Sequence, residues 1–300
     1  MSRRTPSLAL TLATAAFMSH AFATVVHAQQ AVSRGWPLNA EGAVKVYGDA
    51  GSVRIIGWDR DSVAVTGTVA SLSNFFAGGD RNGVKMGIET TGGSSRPSDL
   101  VVHVPARSRV WVRSASANVD VSTFSGALDV STVGGTVHIQ STPTEVRAES
   151  MNGTLDITAS PAYLRLKSAT GAIMWNGSSD DVGIVTVSGR VVVNAGTVRR
   201  ARVESIDGDI RFAAGFAAKS TLAIDTHSGN VTLGVAKGSS AALDVSARGC
   251  ELFGVRQGQD RALMVATQPR NFYKSIGQPM LGTPSIVVRS YKGYVTAAMR

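Results

Sequence analysis

Residues 128–139 read Leu128-Asp129-Val130-Ser131-Thr132-Val133-Gly134-Gly135-Thr136-Val137-His138-Ile139, and residues 146–157 read Val146-Arg147-Ala148-Glu149-Ser150-Met151-Asn152-Gly153-Thr154-Leu155-Asp156-Ile157. Both are one pattern: apolar-x-apolar-x-[Ser/Thr]-x-x-Gly-x-apolar-x-apolar. Gly135, Gly153, Gly171, Gly189, Gly208 and Gly229 occupy its turn, at spacings of 18, 18, 18, 19 and 21 residues. Thr132, Ser150, Ser168, Thr186, Ser205 and Thr226 stand three residues before them. Gly126 and Gly293 mark further corners of the same kind. Alternation of apolar and polar positions means strands with one buried face. The second turn of each unit varies (Thr144, Ala162, Asp180), so a coil of about 18 residues holds two strand–turn units.

Each position of the repeat has a physical reading. Glycine permits the positive φ that a tight corner often needs. The Ser/Thr hydroxyl can bond backbone at that corner, and stacked corners would form a hydroxyl column. Leu155/Ile157, Leu164/Leu166, Val191/Val193 and Ile210/Phe212 point inward. One such pair cannot bury its face alone, so stability requires the array. The expected fold is all-β: a single-domain β-solenoid with irregular ends. A β-sandwich is the alternative, because regular strand spacing also fits one.

Outward from the repeat, residues 44–105 read as opening strands, 106–253 as regular repeats and 254–300 as a C-terminal cap. Residues 31–39 and 254–283 read as irregular, and 71–97 as a loose connection with one strand near Val84. The pattern returns at Ile286, Val288, Ser290, Gly293, Val295 and Ala297, which suggests a strand pair closing the stack. Cys250 falls at a corner in this alignment.

Residues 1–28 read as a secretory signal peptide, with Arg3 and Arg4, an apolar segment over 8–18 and a small-residue site at Val26-His27-Ala28. The remaining domain spans 29–300 and is expected in the periplasm or outside the cell. No later segment is long and apolar enough to be a transmembrane span. A single cysteine rules out an intramolecular disulfide.

The formal net charge is +9, or +7 once Arg3 and Arg4 leave with the leader. That balance favours anionic partners such as envelope glycans. No Lys/Arg run of the nucleic-acid-arm type occurs, so no nucleic-acid partner is expected.

The chain resembles the bacterial putative-adhesin family, a domain-of-unknown-function group built as β-solenoids. The resemblance rests on Gly51-Ser52-Val53-Arg54-Ile55, on Leu100-Val101-Val102-His103-Val104-Pro105, and on the repeated corners through Gly293-Tyr294-Val295. It implies an exported, non-catalytic protein that binds envelope glycans or other envelope proteins. Ala117 departs from the pattern at a corner where glycine is usual.

The residues hold little catalytic chemistry. His103, His138 and His227 are far apart without the HExxH spacing of a zinc site, and no G-x-S-x-G elbow, phosphate loop or CxxC pair occurs. No cofactor or metal is expected. The corners lack the Gly-Gly-x-Gly-x-Asp signature of calcium-binding rolls. Asp59/Asp61, Asp180/Asp181 and Asp207/Asp209 keep a polysaccharide lyase or glycoside hydrolase as the alternative function, although Asp in turns usually caps backbone groups.

The outward positions are more informative. Steps of 18–19 residues align Trp111, Asp129, Arg147, Arg165, Gly183 and Arg202 in one column, and Arg113, Ser131, Glu149, Lys167, Val185 and Glu204 beside it. Arg107 and Arg109 extend the basic area. The candidate binding residues are therefore Arg109, Trp111, Arg113, Arg147 and Arg165, since a tryptophan among arginines can stack on a sugar or meet an anionic group. The plain alternative is a solvated mixed-charge face. Trp175, beside Ile173, reads as core.

Overall fold

In the computed structural model, the described residues are 29–91, 96–236, 241–256, 259–266, 270–276 and 282–299; for 252–276 and 299 only the backbone is described. The expected leader lies outside them. The described residues form twenty-two strands in one continuous hydrogen-bonded sheet and include no helix.

Each coil lays one strand on each of two faces. On the first face Arg109–Ser114, Ala127–Thr132, Glu145–Ser150 and Tyr163–Ser168 run parallel, followed by residues 181–186, 200–205 and 221–226. On the second, Asn118–Ser122, Val137–Gln140 and Leu155–Thr158 are followed by residues 173–176, 191–194 and 210–214. Pairing is parallel and connects equivalent repeat positions: Leu128 lies opposite Val110 and Val146. This is a β-solenoid, and the sandwich alternative falls away, since parallel strands here pair with the coil before and the coil after.

The inward positions are fully buried. Leu155, Ile157, Leu164, Leu166, Val191, Val193, Ile210 and Phe212 have relative exposures of 0–1%. Trp175 is among them, and its indole N–H donates to Ala159 O at 3.0 Å. A buried indole needs such a partner. Burying a large aliphatic side chain stabilises by about 1.5–3 kcal/mol relative to leaving it exposed, so the column of pairs supplies the cohesion that no disulfide can.

The corners correct one expectation. Gly135, Gly153, Gly171, Gly189, Gly208, Gly229 and Gly293 do not have positive φ. Instead, a Cβ on Gly153 would lie 2.0 Å from Gly135 O, and one on Gly171 would lie 2.0 Å from Gly153 O. The same contact, at 2.0–2.2 Å, recurs at the others. Glycine is required because the backbone of one coil rests on the backbone of the coil before it. Gly126 meets Ser108 O in the same way at 1.9 Å on the opposite corner. Ala117 rests instead on the corner of the inserted 43–58 coil, where its N–H donates to Asp49 O at 3.0 Å and a Cβ on Gly48 would lie 3.5 Å from its own.

The corner hydroxyls do bond backbone. Thr132, Thr186, Thr226 and Ser290 accept from the N–H of Gly135, Gly189, Gly229 and Gly293 at 3.0–3.1 Å. Ser205 instead donates to Gly208 O at 2.9 Å. The hydroxyls of Ser150 and Ser168 are buried without a protein partner, so the column is not uniform.

Both ends depart from chain order. Residues 285–299 do not close the stack. They lie inside it, with 285–290 between 221–226 and 242–247, and 295–299 next to Val231–Val235. The terminal coil is Ala241–Arg256, covered by the antiparallel strands Gln259–Ala266 and Arg270–Ile276, where the sequence suggested irregular chain. Cys250 lies opposite Val295, an inward strand position rather than a corner.

The first end mirrors this arrangement. Ala43–Gly48 and Gly51–Trp58 are inserted between the Arg109–Ser122 coil and the strands Gly83–Thr90 and Ser98–Pro105. Antiparallel Ser73–Gly79, Ser62–Val69 and Gln30–Pro37 cover that end. The presumed irregular start at 31–39 is therefore largely a strand. Antiparallel covers reduce the parallel edge that each end would otherwise offer to another chain.

Candidate functional site

Strand pairing builds the outward columns as the period implied. Trp111, Asp129, Arg147, Arg165, Gly183 and Arg202 are successive register partners. Side chains in such a column lie about 4.8 Å apart, close enough for charges to pair along it.

Most of them do pair. Arg113 donates to Asp129 Oδ1 at 2.7 Å. Arg165 donates to Asp181 Oδ1 at 2.7 Å and to the carbonyls of Leu164 and Asp181 at 2.9 and 3.1 Å, and its guanidinium lies 3.8 Å from the Tyr163 ring centroid. Lys167 meets Glu149 at 3.0 Å. Arg113 and Arg165 thus serve as braces between coils. Gly183 gives Arg165 its room: a Cβ there would stand 2.7 Å from Arg165 Cδ.

The remaining candidates converge. Arg107, Arg109, Trp111 and Arg147 line a shallow depression of about 520 Å³, together with Glu41 and Glu145. Arg147 pairs with Glu145 at 2.7 Å, whereas Arg107 and Arg109 form no ion pair among the described residues. Lys45 Nζ stands 5.9 Å from the Trp111 ring centroid. Cations outnumber carboxylates around an outward indole, an arrangement suited to an anionic group beside a ring.

Two of the three aspartate pairs are engaged in structural contacts. Asp180 meets Arg199 at 3.2 Å, and Asp181 is held by Arg165 and Arg200. Asp207 bonds Ser228, and Asp209 accepts from the Asn230 backbone at 2.9 Å. These contacts are corner and ladder chemistry. The histidines are equally dispersed: His138 meets Asp156 at 3.3 Å, His103 lies 5.1 Å from Trp58, and His227 stacks on Tyr291 at 5.2 Å. Among the described residues no group of three His, Cys, Asp or Glu is placed to hold a metal, and no helix is long and apolar enough to cross a membrane. Burial, with the Glu251 charge adding to it, pushes the Cys250 thiol up to about 11.

One feature escaped the sequence reading. The residue following each corner Ser/Thr is outward, giving Val133, Met151, Val187, Ile206 and Tyr291 exposures of 45–74%. These residues form an apolar edge on one corner only. Toward the later coils it borders a groove of about 690 Å³ that contains Arg202, Asp225, His227 and Arg289. The signal was present in the repeat, at the position directly after the hydroxyl residue.

The fold is a parallel β-solenoid with depressions on its outward face. Residues 52–267 match the Toastrack DUF4097 family, and the chain belongs to it. No curated protein matches the chain. Similar solved structures include a putative adhesin from Bacteroides fragilis, 8% identical over 90% of this chain and 98% of that one, with a TM-score of 0.41. A putative lipid binding protein from Parabacteroides distasonis is 10% identical over 89% and 96%, with a TM-score of 0.43. A putative cell adhesion protein from Clostridium sporogenes is 7% identical over 90% and 100%, with a TM-score of 0.22.

Proposed function

We propose that this protein is an exported, non-catalytic binding module of the bacterial envelope. In this reading it is adhesin-like, works in the periplasm or outside the cell after loss of its leader, and engages anionic groups of envelope glycans or envelope proteins. The observation that supports it best is the depression around Trp111. There Arg107 and Arg109 have no carboxylate partner among the described residues, while Arg113 and Arg165 are consumed in braces between coils. A solenoid scaffold that carries an underused basic patch suits recognition more than turnover. The carboxylates of Asp180/Asp181 and Asp207/Asp209 are engaged with arginines, a corner hydroxyl and ladder backbone, which supports binding over the lyase or hydrolase alternative.

The test is binding of the mature protein to an array of acidic oligosaccharides and to envelope extracts. Hydrogen bonds to charged groups contribute about 1.5–3 kcal/mol each, so Arg109→Gln and Trp111→Ala are each expected to weaken capture by about tenfold or more. Arg113→Ala should affect stability more than capture. Equal binding by wild type, Arg109→Gln and Trp111→Ala would remove the depression from the proposal.

A further inference from the structure

The groove at the later coils has a different chemistry from the Trp111 depression. It runs along the solenoid axis from the corner at Val187 to Ser246, across five adjacent strand levels. Four steps of about 4.8 Å make it ~19 Å long. It is a groove because Val185 stands where the two preceding coils carry Lys167 and Glu149, and because Ser246 succeeds Arg289. Five strand steps, ~24 Å, separate the Trp111 strand from residues 200–205.

Three observations specify a ligand. The first is a platform. His227 and Tyr291 stack with ring centroids 5.2 Å apart and planes 24° from parallel, and Tyr291 is 74% exposed. The second is charge balance. Arg202 and Arg289 are offset by Glu204 and Asp225, so the groove has no excess of either sign.

The third is unused hydrogen-bonding capacity. Asp225 lies between two guanidiniums at 3.7 and 3.9 Å, beyond hydrogen-bond distance from both. A carboxylate beside planar N–H forks offers acceptors and donors to adjacent hydroxyl groups. The corner backbone is occupied: His227 N–H donates to Ile206 O at 3.1 Å, and Lys292 N–H donates to His227 O at 2.8 Å. An extended peptide cannot add as a strand there.

We infer that this groove binds a neutral oligosaccharide, with one ring laid on the face of Tyr291 that His227 does not cover and its hydroxyls shared between Asp225 and Arg289. A neutral, polyhydroxylated, elongated ligand satisfies the platform, the charge balance and the groove length together. The site is separate from the Trp111 depression and does not depend on it.

The experiment is titration of the mature protein with neutral glucan, mannan and chitin oligosaccharides, followed by calorimetry and NMR line broadening. Variants are Tyr291→Ala, Arg289→Gln and Trp111→Ala, each checked for an unchanged melting temperature. Because Tyr291 and Arg289 are exposed, neither substitution should disturb the fold. Binding of at least one neutral oligosaccharide is expected, weakened about tenfold by Tyr291→Ala and also by Arg289→Gln, with Trp111→Ala like wild type. The affinity should change little with salt. Failure of wild type to bind any of the set overturns the inference, as does binding that survives both groove substitutions. Capture of acidic ligands through Trp111 with no neutral oligosaccharide bound at the groove would overturn it while leaving the proposed function intact.

Discussion

Gly134 and Gly135 are neighbours in one corner, and they should respond oppositely to alanine. A Cβ on Gly135 would stand 2.0 Å from Ala117 O and 2.6 Å from Ala117 C, both backbone atoms that cannot rotate away. Restoring even a tight 3.0 Å contact requires the coils to separate locally by about 1 Å, roughly a fifth of the strand spacing. The adjoining bonds Gly134 N–H to Ala115 O and Val119 N–H to Thr136 O, both 2.8 Å, would stretch past hydrogen-bonding range. Two such bonds are worth about 1–3 kcal/mol together, the same size as the usual cost of overpacking.

On Gly134 a Cβ finds nothing nearer than Ala115 O at 4.0 Å, and the residue does not have positive φ. There, alanine should stabilise by about 0.4–1 kcal/mol by restricting the unfolded chain. Urea unfolding followed by far-UV circular dichroism measures both. A Gly135→Ala midpoint equal to wild type, or a Gly134→Ala loss as large as that of Gly135→Ala, would refute close coil stacking as the reason for the glycine column.

Other expectations can be checked in the same way. Thr186→Val, which removes the acceptor for Gly189 N–H, should cost about 1 kcal/mol, whereas Ser150→Ala, at a hydroxyl without a protein partner, should cost less in the same unfolding assay. Trp175→Ala should lose about 3–5 kcal/mol, the range for emptying a buried aromatic site, with a matching fall in melting temperature. The Cys250 thiol should resist a thiol reagent at neutral pH in the folded protein and react once it is unfolded. Its folded pKa lies above the unfolded one, so its contribution is intact below about 9 and is lost as pH rises toward about 11. Melting temperatures of wild type and Cys250→Ser across that range test the sign. Truncation after residue 284 removes a strand pair from inside the stack, so limited proteolysis should reach 241–256 far faster than in the full chain.

What was legible in the sequence was everything set by periodicity. The 18-residue step placed Leu155, Ile157, Leu164 and Leu166 in the core, and it aligned Trp111, Asp129 and Arg147 correctly on the surface. Ala117 and the corner glycines show where local reading stops. Tight turns suggested φ, but the actual constraint is a carbonyl in the neighbouring coil, 18 or more residues away. The inserted positions of 43–58 and 285–299 were hidden for the same reason. Their strands look like any others, and only long-range pairing decides which coil each one joins. The candidate site was legible in half. Arg109, Trp111 and Arg147 converge, but which arginines are consumed as braces depends on carboxylates one coil away. The groove beside Tyr291 draws on coils separated by irregular spacings, so no constant step aligns it.

Trp111 itself provides the most direct measurement. Its fluorescence is isolated as the difference between wild type and Trp111→Phe, because Trp36, Trp58 and Trp175 emit in both, while an acidic oligosaccharide is titrated in at low and high salt. A saturable change in wild type is expected, weakening as salt rises because the contacts are ionic, and absent in Trp111→Phe. An identical change in both proteins, or none in wild type under conditions where the ligand is bound, would contradict binding at this face.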